Sequence, residues 1–406
     1  MTRAEVIARV RTAWQPAVWV GFALLGVVLL FGRLELPLGI SFGFNSFARN
    51  LAIFTLVGAL LHVPGLIIER SRVGPAFLAF LLAAGLSIAV NSGGYGDFRL
   101  LATAFGIFYA TRSLTRGPQG KLRMFHWLGL FTVAVLLREI ANNPAVLTLR
   151  EAYRLDLVSD HANTLGFALA MLTPIFLAGT ARADRRAAAW VYACCSCLIV
   201  VITFSRSAWF ALALGVVALA LGSRTRRKAI DAIATTVLAT GAVALATGYL
   251  SLGRTEADSQ RLRIIETSMS LFREHWPFGI GFGIFNLEKL FPVRYLELYG
   301  ESLFLFHSHN FYVDILTGTG VVGAIAATYL MLTLVRVAWD GVARAPESQS
   351  RLEAIAYAIS IGIFLVVGIV DMPLYHGRLV FLLAIVWALL ESACQTASAA
   401  ADRAPA

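Results

Sequence analysis

The chain has 406 residues, of which 58% are hydrophobic and 14% charged, with a mean hydropathy of +0.73. A soluble domain carries roughly 25% charged residues, so a water-soluble globule is excluded. The net charge of +10 has no soluble domain to sit on, so a nucleic-acid footprint is excluded too.

Apolar runs near the ~20 residues needed to cross a bilayer core recur along the whole chain. They predict an all-α polytopic membrane protein of about 12 transmembrane helices, centred near residues 24, 58, 82, 105, 132, 171, 196, 214, 240, 323, 362 and 386. A membrane β-barrel would need alternating patterns instead. The first run, near 17–31, lacks a small-residue cleavage pattern and reads as a retained span.

Basic residues give the orientation. Arg3, Arg9 and Arg11, then Arg70 and Arg72, then Arg112, Arg116, Lys121 and Arg123 fall on one side. Arg182, Arg185, Arg186, Arg224, Arg226, Arg227, Lys228, Arg336, Arg344, Arg351 and Arg403 follow on that side. Short basic connections belong in the cytoplasm, so both termini are expected there. Cys194, Cys195 and Cys197 lie within an apolar run and Cys394 near the end of the last, which suits packing better than a metal site.

The stretch "CLIVVITFSRSAWFALALGVV", 197–217, holds a single charge, Arg206. Basic clusters flank its run on both sides, so the chain must cross, turn and return. Helices over 187–204 and 207–221 would be roughly 27 and 22 Å long. Arg206 is then at the tip of an outer hairpin, where it avoids a mid-bilayer cost of at least ~2.5–3.5 kcal/mol.

Outer segments are longer, about 142–160 and about 251–308. The second is too long for a simple connector and is expected to fold. One domain, 1–396, contains it, and an Ala-rich tail, 397–406, is expected to be disordered.

Within "SQRLRIIETSMSLFREHW", Arg261, Ile265, Met269, Phe272 and Trp276 fall within about 40° of one helical line. Arg263, Thr267, Ser270 and Glu274 lie opposite. Arg261 is therefore expected inward and Arg263 toward water. The glycines of "GIGFG" permit tight turns or close backbone approach. "HSHNFYVDILTGTGVVG", 307–323, opens the next span and puts His309 and Asn310 at its outer mouth. No carboxylate or third histidine sits at ligand spacing, so no metal site and no cofactor is expected.

Arginine matches a diphosphate in a two-pronged grip and keeps its charge, and histidine suits general-base work near neutral pH. A lipid diphosphate in the outer leaflet would place its head group at this depth. His307, Asn310, Arg294 and Arg378 are rim candidates for substrate binding. Tyr312 and Asp314, one turn deeper, are expected to be structural, and Asp371 and His376 are lesser outer-loop candidates.

Three stretches together resemble the O-antigen ligase and polymerase superfamily: "TFSRSAWFAL" at 203–212, "SQRLRIIETSMSLFREHWPFGIGFGIF" at 259–285, and "HSHNFYVDILTGTGVVG". "DHANTLGFALAMLTPI", 160–175, fits more loosely. The resemblance implies a C-type glycosyltransferase membrane fold in the bacterial inner membrane. It implies transfer of a glycan from undecaprenyl diphosphate to an acceptor sugar, lipid-linked or glycan, on the periplasmic face without metal. Arg206 and His309 match the essential positions and Arg261 the loop arginine. Ile265 stands where the family is usually aromatic, so Arg263 remains the alternative. Ligation to lipid A–core is slightly favoured over repeat-unit polymerisation, on the single long outer loop. A secondary transporter would place its charges near the midplane within repeated halves, and no repeat is seen.

Overall fold

The computed structural model describes residues 16–28, 33–36, 40–43, 48–53, 71–115, 117–145, 162–222, 255–303, 308–344, 349–369 and 377–401. In chain order these form α1 (Pro16–Val28), β1 (Arg33–Leu36), β2 (Ile40–Gly43) and α2 (48–53). Then come α3 (Val73–Asn91), α4 (Gly96–Leu114), α5 (Pro118–Asn142), α6 (Ala162–Gly179), α7 (Arg186–Ile202) and α8 (Arg206–Gly222). The chain continues through α9 (Thr255–Glu274), α10 (Ile284–Tyr299), α11 (Phe311–Arg344), α12 (Gln349–Val367) and α13 (Gly377–Ala401).

Among the described residues the protein is helical apart from one feature that the all-α expectation missed. β1 and β2 pair antiparallel, with Arg33 opposite Gly43 and Leu36 opposite Ile40. The period-two alternation of Arg33–Leu36 marks a strand, and the proline that follows it disfavours continuing as helix.

Among the described residues α3, α5 and α11 are both long and apolar enough to cross a membrane, and α1, α6, α7, α8 and much of α13 are shorter apolar helices. The protein is a multi-pass membrane protein. The span expected near 240 lies outside the described residues, as does most of the one near 58. α13 continues as helix to Ala401, into the stretch expected to be disordered.

Polar contacts collect at the two ends of the bundle. At one end Glu391 accepts from Ser71 Oγ at 2.9 Å and pairs with Arg112 at 3.0 Å. Lys121 donates to the Ser392 carbonyl, Arg182 and Arg185 both pair with Glu353, and Arg72 and Arg344 share Asp340. Positive-inside reasoning assigned these basic segments to one side, and here they meet. At the other end lie the α3–α4 turn, the 276–286 segment, the start of α11 and the end of α12.

A chain of aromatic rings links the core to that second end: Phe77 to Trp387, Trp387 to Phe364, and Phe364 to Phe311 at the start of α11. α11 would be about 51 Å long as a straight helix, well beyond a bilayer core of ~30 Å. It is broken at Gly320 (φ 64, ψ −163). Residues 321–344 supply the span, and 311–319 form a separate outer segment.

Candidate functional site

The α7–α8 hairpin is as the charge pattern required. Residues 203–205 make the turn, with Phe204 left-handed at φ 51 and its ring buried. Trp209 Nε1 donates to the carbonyls of Val200 and Val201, which ties the first turn of α8 to the last turn of α7. Ser205 Oγ accepts from the Ala208 amide at 3.3 Å and caps α8. Arg206 is thereby fixed as the first residue of α8, and its side chain is exposed. Gly166 of α6 lies against the tip; a Cβ there would stand 2.7 Å from Ala208 Cβ.

The height of Arg206 follows from packing on α12. Gly222 lies beside Ile355, and Gly215 beside Ile359 and Ile363, so the two helices run antiparallel. At about 1.5 Å per residue, Arg206 stands roughly 13 Å beyond Gly215. Gly368 and Ile369 stand roughly 11 Å beyond the midpoint of Ile359 and Ile363. Arg206 is therefore level with the outer end of α12.

His309 meets that same end. The Phe311 amide donates to the Gly368 carbonyl at 2.7 Å, and Asn310 Nδ2 to the Ile369 carbonyl at 3.1 Å. Asn310 Oδ1 accepts the amides of Tyr312 and Val313 and so caps α11. The Ser308 amide donates to Asp314 Oδ1 at 2.8 Å, with both residues buried. These bonds on either side hold His309, itself half-buried, at φ 56. Such a conformation costs a non-glycine residue about 1–3 kcal/mol and persists where its surroundings over-determine it.

The loop arginines differ from expectation. α9 buries Ile264, Thr267, Ser268 and Leu271. Its inward face is thus rotated from the expected line, because α10 packs on it through Leu287, Phe291 and Tyr295 and α11 through Thr317, which donates to the Ser268 carbonyl. Arg261 sits at the edge of the buried face and is exposed rather than inward. Arg263, also exposed, lies over the Tyr299 ring at 5.1 Å and 3.7 Å from Glu301. Arg294 is paired with Glu274 and Glu297. Tyr299 donates to Glu266, and its burial and that carboxylate push the phenol up to about 12.

Below these residues the glycine-rich turn is stitched to the break in α11. Ile280 and Gly281 donate to the carbonyls of Thr317 and Gly318, and Val321 and Val322 to those of Trp276 and Pro277. Ser87 Oγ of α3 bonds the carbonyls of both Phe278 and Gly318. Gly279 (φ 67) and Gly320 (φ 64) face each other here, and a Cβ on either would stand 2.5 Å from backbone atoms of the other strand. The glycines serve backbone approach in this seam.

The family model described as O-antigen ligase matches residues 191–328. This stretch contains α8, α9, α10, the seam and the outer half of α11. This match over about a third of the chain supports the resemblance to the O-antigen ligase and polymerase superfamily that the motifs carry. No curated protein matches the chain.

The O-antigen ligase match takes in Arg206, Arg261, Arg263, Arg294, His307, His309 and Asn310, and leaves out Arg378. His307, Asp371 and His376 lie outside the described residues, as does the Arg378 side chain. Among the described residues no group of three or more His, Cys, Asp or Glu side chains is arranged to hold a metal ion. Sequence reasoning missed Ser87 and Asp97, whose carboxylate accepts the Ile284 amide at 2.7 Å. Asp314, expected to be structural, accepts the Ser308 amide and so holds the turn that carries His309.

Proposed function

We propose that this protein transfers a glycan from undecaprenyl diphosphate to an acceptor sugar at the periplasmic face of the bacterial inner membrane. His309 takes the proton of the acceptor hydroxyl. That oxygen bonds to the anomeric carbon from the side opposite the departing phosphate oxygen. The bond to the phosphate breaks with inversion, and undecaprenyl diphosphate leaves with the electron pair. Arg206 and Arg261 hold its charge, a role that preorganised cations fill without metal.

The observation that carries this reading is the common height of Arg206 and His309, both level with the outer end of α12, inside the stretch matched by the O-antigen ligase family. Arg206 also opens α8, where the positive end of the helix dipole favours an anion. Arg261 is favoured over Arg263 as the phosphate ligand: among the described residues Arg261 makes no ion pair, whereas Arg263 is engaged with Glu301 and Tyr299. Asn310 and Ser308 position the histidine, and His307, Arg294 and Arg378 remain rim candidates.

Ligation to lipid A–core is preferred to repeat-unit polymerisation on the single long outer loop. The transporter alternative requires charges near the midplane, and these lie at one end of the bundle. The test is a reconstituted reaction with undecaprenyl-diphosphate glycan and candidate acceptors, in chelator. Glycan transfer and release of the lipid diphosphate are expected, lost in His309→Ala and Arg261→Ala and largely kept in Arg263→Ala. Anion movement with no covalent product would mean a transporter.

A further inference from the structure

α10 has two apolar faces, and α9 covers one of them. Leu287, Phe291 and Tyr295 are buried against α9. At about 100° per residue, Phe285, Lys289, Pro292, Val293 and Leu296 share the opposite side. Three of these are large apolar residues left 43%, 58% and 51% exposed (Phe285, Val293 and Leu296).

The direction of that second face is fixed in the first turn. Phe285 packs onto Gly94, where an added Cβ would meet its Cβ at 2.7 Å. Asn286 Nδ2 donates to the Asn91 carbonyl, and the Ile284 amide to Asp97. Gly94 lies in the turn joining α3 and α4, with Asn91 at the end of α3 and Asp97 in the first turn of α4. The face that rests on this turn at Phe285 is the one that carries Val293 and Leu296 further along the helix.

The exposed strip continues the exposed apolar surface of α3, a helix long and apolar enough to cross a membrane. α3 exposes Leu82, Leu86 and Val90, one below the other at four-residue spacing. Tyr95, 63% exposed, follows in the turn, and Phe285 lies beyond it. Lys289 Nζ stands 3.6 Å from the centre of the Phe285 ring, a cation placed beside the strip as at a membrane interface. Glu288 and Glu297 flank the face.

We propose that α10 lies in the interface of the outer leaflet, with Phe285, Val293 and Leu296 among the acyl chains and Lys289 at the phosphates. The occupant of the strip is the bilayer itself. The helix acts as a float that sets the height of α9, and with it Arg261, relative to lipid head groups. This inference rests on the membrane reading of the chain and is independent of the chemistry proposed above.

Spin labels test it in the full chain, in nanodiscs of phosphatidylethanolamine and phosphatidylglycerol. The cysteine variants would be Val293→Cys, Leu296→Cys and Glu297→Cys, with the native cysteines replaced. Labels at 293 and 296 should favour collision with oxygen over a water-soluble nickel chelate several-fold more than the label at 297. Equal nickel access at all three positions overturns the proposal, and so does shielding from both reagents, which would indicate a protein partner. Hydroxyl-radical footprinting of the unmodified chain reads the same contrast if the cysteine replacements fail to fold. Phe285 and Leu296 should be protected while Leu290 and Leu298 are oxidised, and equal oxidation overturns the proposal.

Discussion

Gly320→Ala should open the seam that joins the 276–283 turn to α11. The new Cβ would stand 2.5 Å from the Gly279 nitrogen and 2.6 Å from the Phe278 nitrogen and the Pro277 carbonyl carbon. All three are backbone atoms, so no flexible side chain can yield. Relief requires the strands to part, which breaks the bonds from Ile280, Gly281, Val321 and Val322. At a net ~1 kcal/mol for each of these four bonds, the loss is about 4 kcal/mol. The conformation of Gly320 (φ 64, ψ −163) is essentially reserved to glycine and adds about 1–3 kcal/mol for a residue with a Cβ. Gly300→Ala is the control: its φ is 69, but nothing lies within 4 Å of its Cβ, so only the backbone cost applies. Hydrogen exchange followed by mass spectrometry on peptides covering 276–283 and 316–324 reads the difference directly. Gly320→Ala should exchange these amides orders of magnitude faster than Gly300→Ala. Equal exchange in the two variants would refute the claim that the glycines are required for backbone approach.

Asp314→Ala removes the acceptor of the buried Ser308 amide, a loss of about 1–3 kcal/mol. Glycan transfer should fall at least tenfold with donor binding unchanged, and Asp314→Asn, which keeps an acceptor oxygen, should recover part of it; kinetics and donor titration separate the two effects. Glu391→Ala removes the buried carboxylate that pairs with Arg112 and accepts from Ser71 and should destabilise the protein by about 3–5 kcal/mol, visible as a lowered unfolding temperature in detergent. Tyr299 holds its proton more tightly folded than the ordinary value of about 10, up to about 12. Its contribution is therefore complete below about pH 10 and is lost as pH rises toward 12. The α9–α10 contact should loosen in that window by hydrogen exchange, and Tyr299→Phe should lack the pH step.

The hairpin around Arg206 was legible because membrane sidedness is a strong constraint. Basic clusters at 182–186 and 224–228 left one solution, and the helices end within two residues of the expected bounds. The mouth of α11 was legible for a similar reason, a polar pair opening an apolar run. The face of α9 was not. Ile264, Ile265, Met269, Leu271 and Phe272 span roughly 160° of the helix at about 100° per residue, so which of them turns inward depends on α10 and on Thr317. The seam left even less trace, since backbone pairs with backbone and only the glycines of "GIGFG" and "TGTG" hint at it. The β1–β2 hairpin was overlooked because a few alternating residues weigh little between long apolar runs.

The account depends most on the arginines gripping the diphosphate while the histidine performs chemistry. Binding of undecaprenyl diphosphate to the purified protein in nanodiscs separates these roles. His309→Ala should bind the donor as tightly as the unaltered chain yet transfer nothing. Arg206→Ala and Arg261→Ala should each weaken binding roughly 10- to 150-fold, the equivalent of one charge-assisted contact of about 1.5–3 kcal/mol. Undiminished donor binding in both arginine variants would contradict the account.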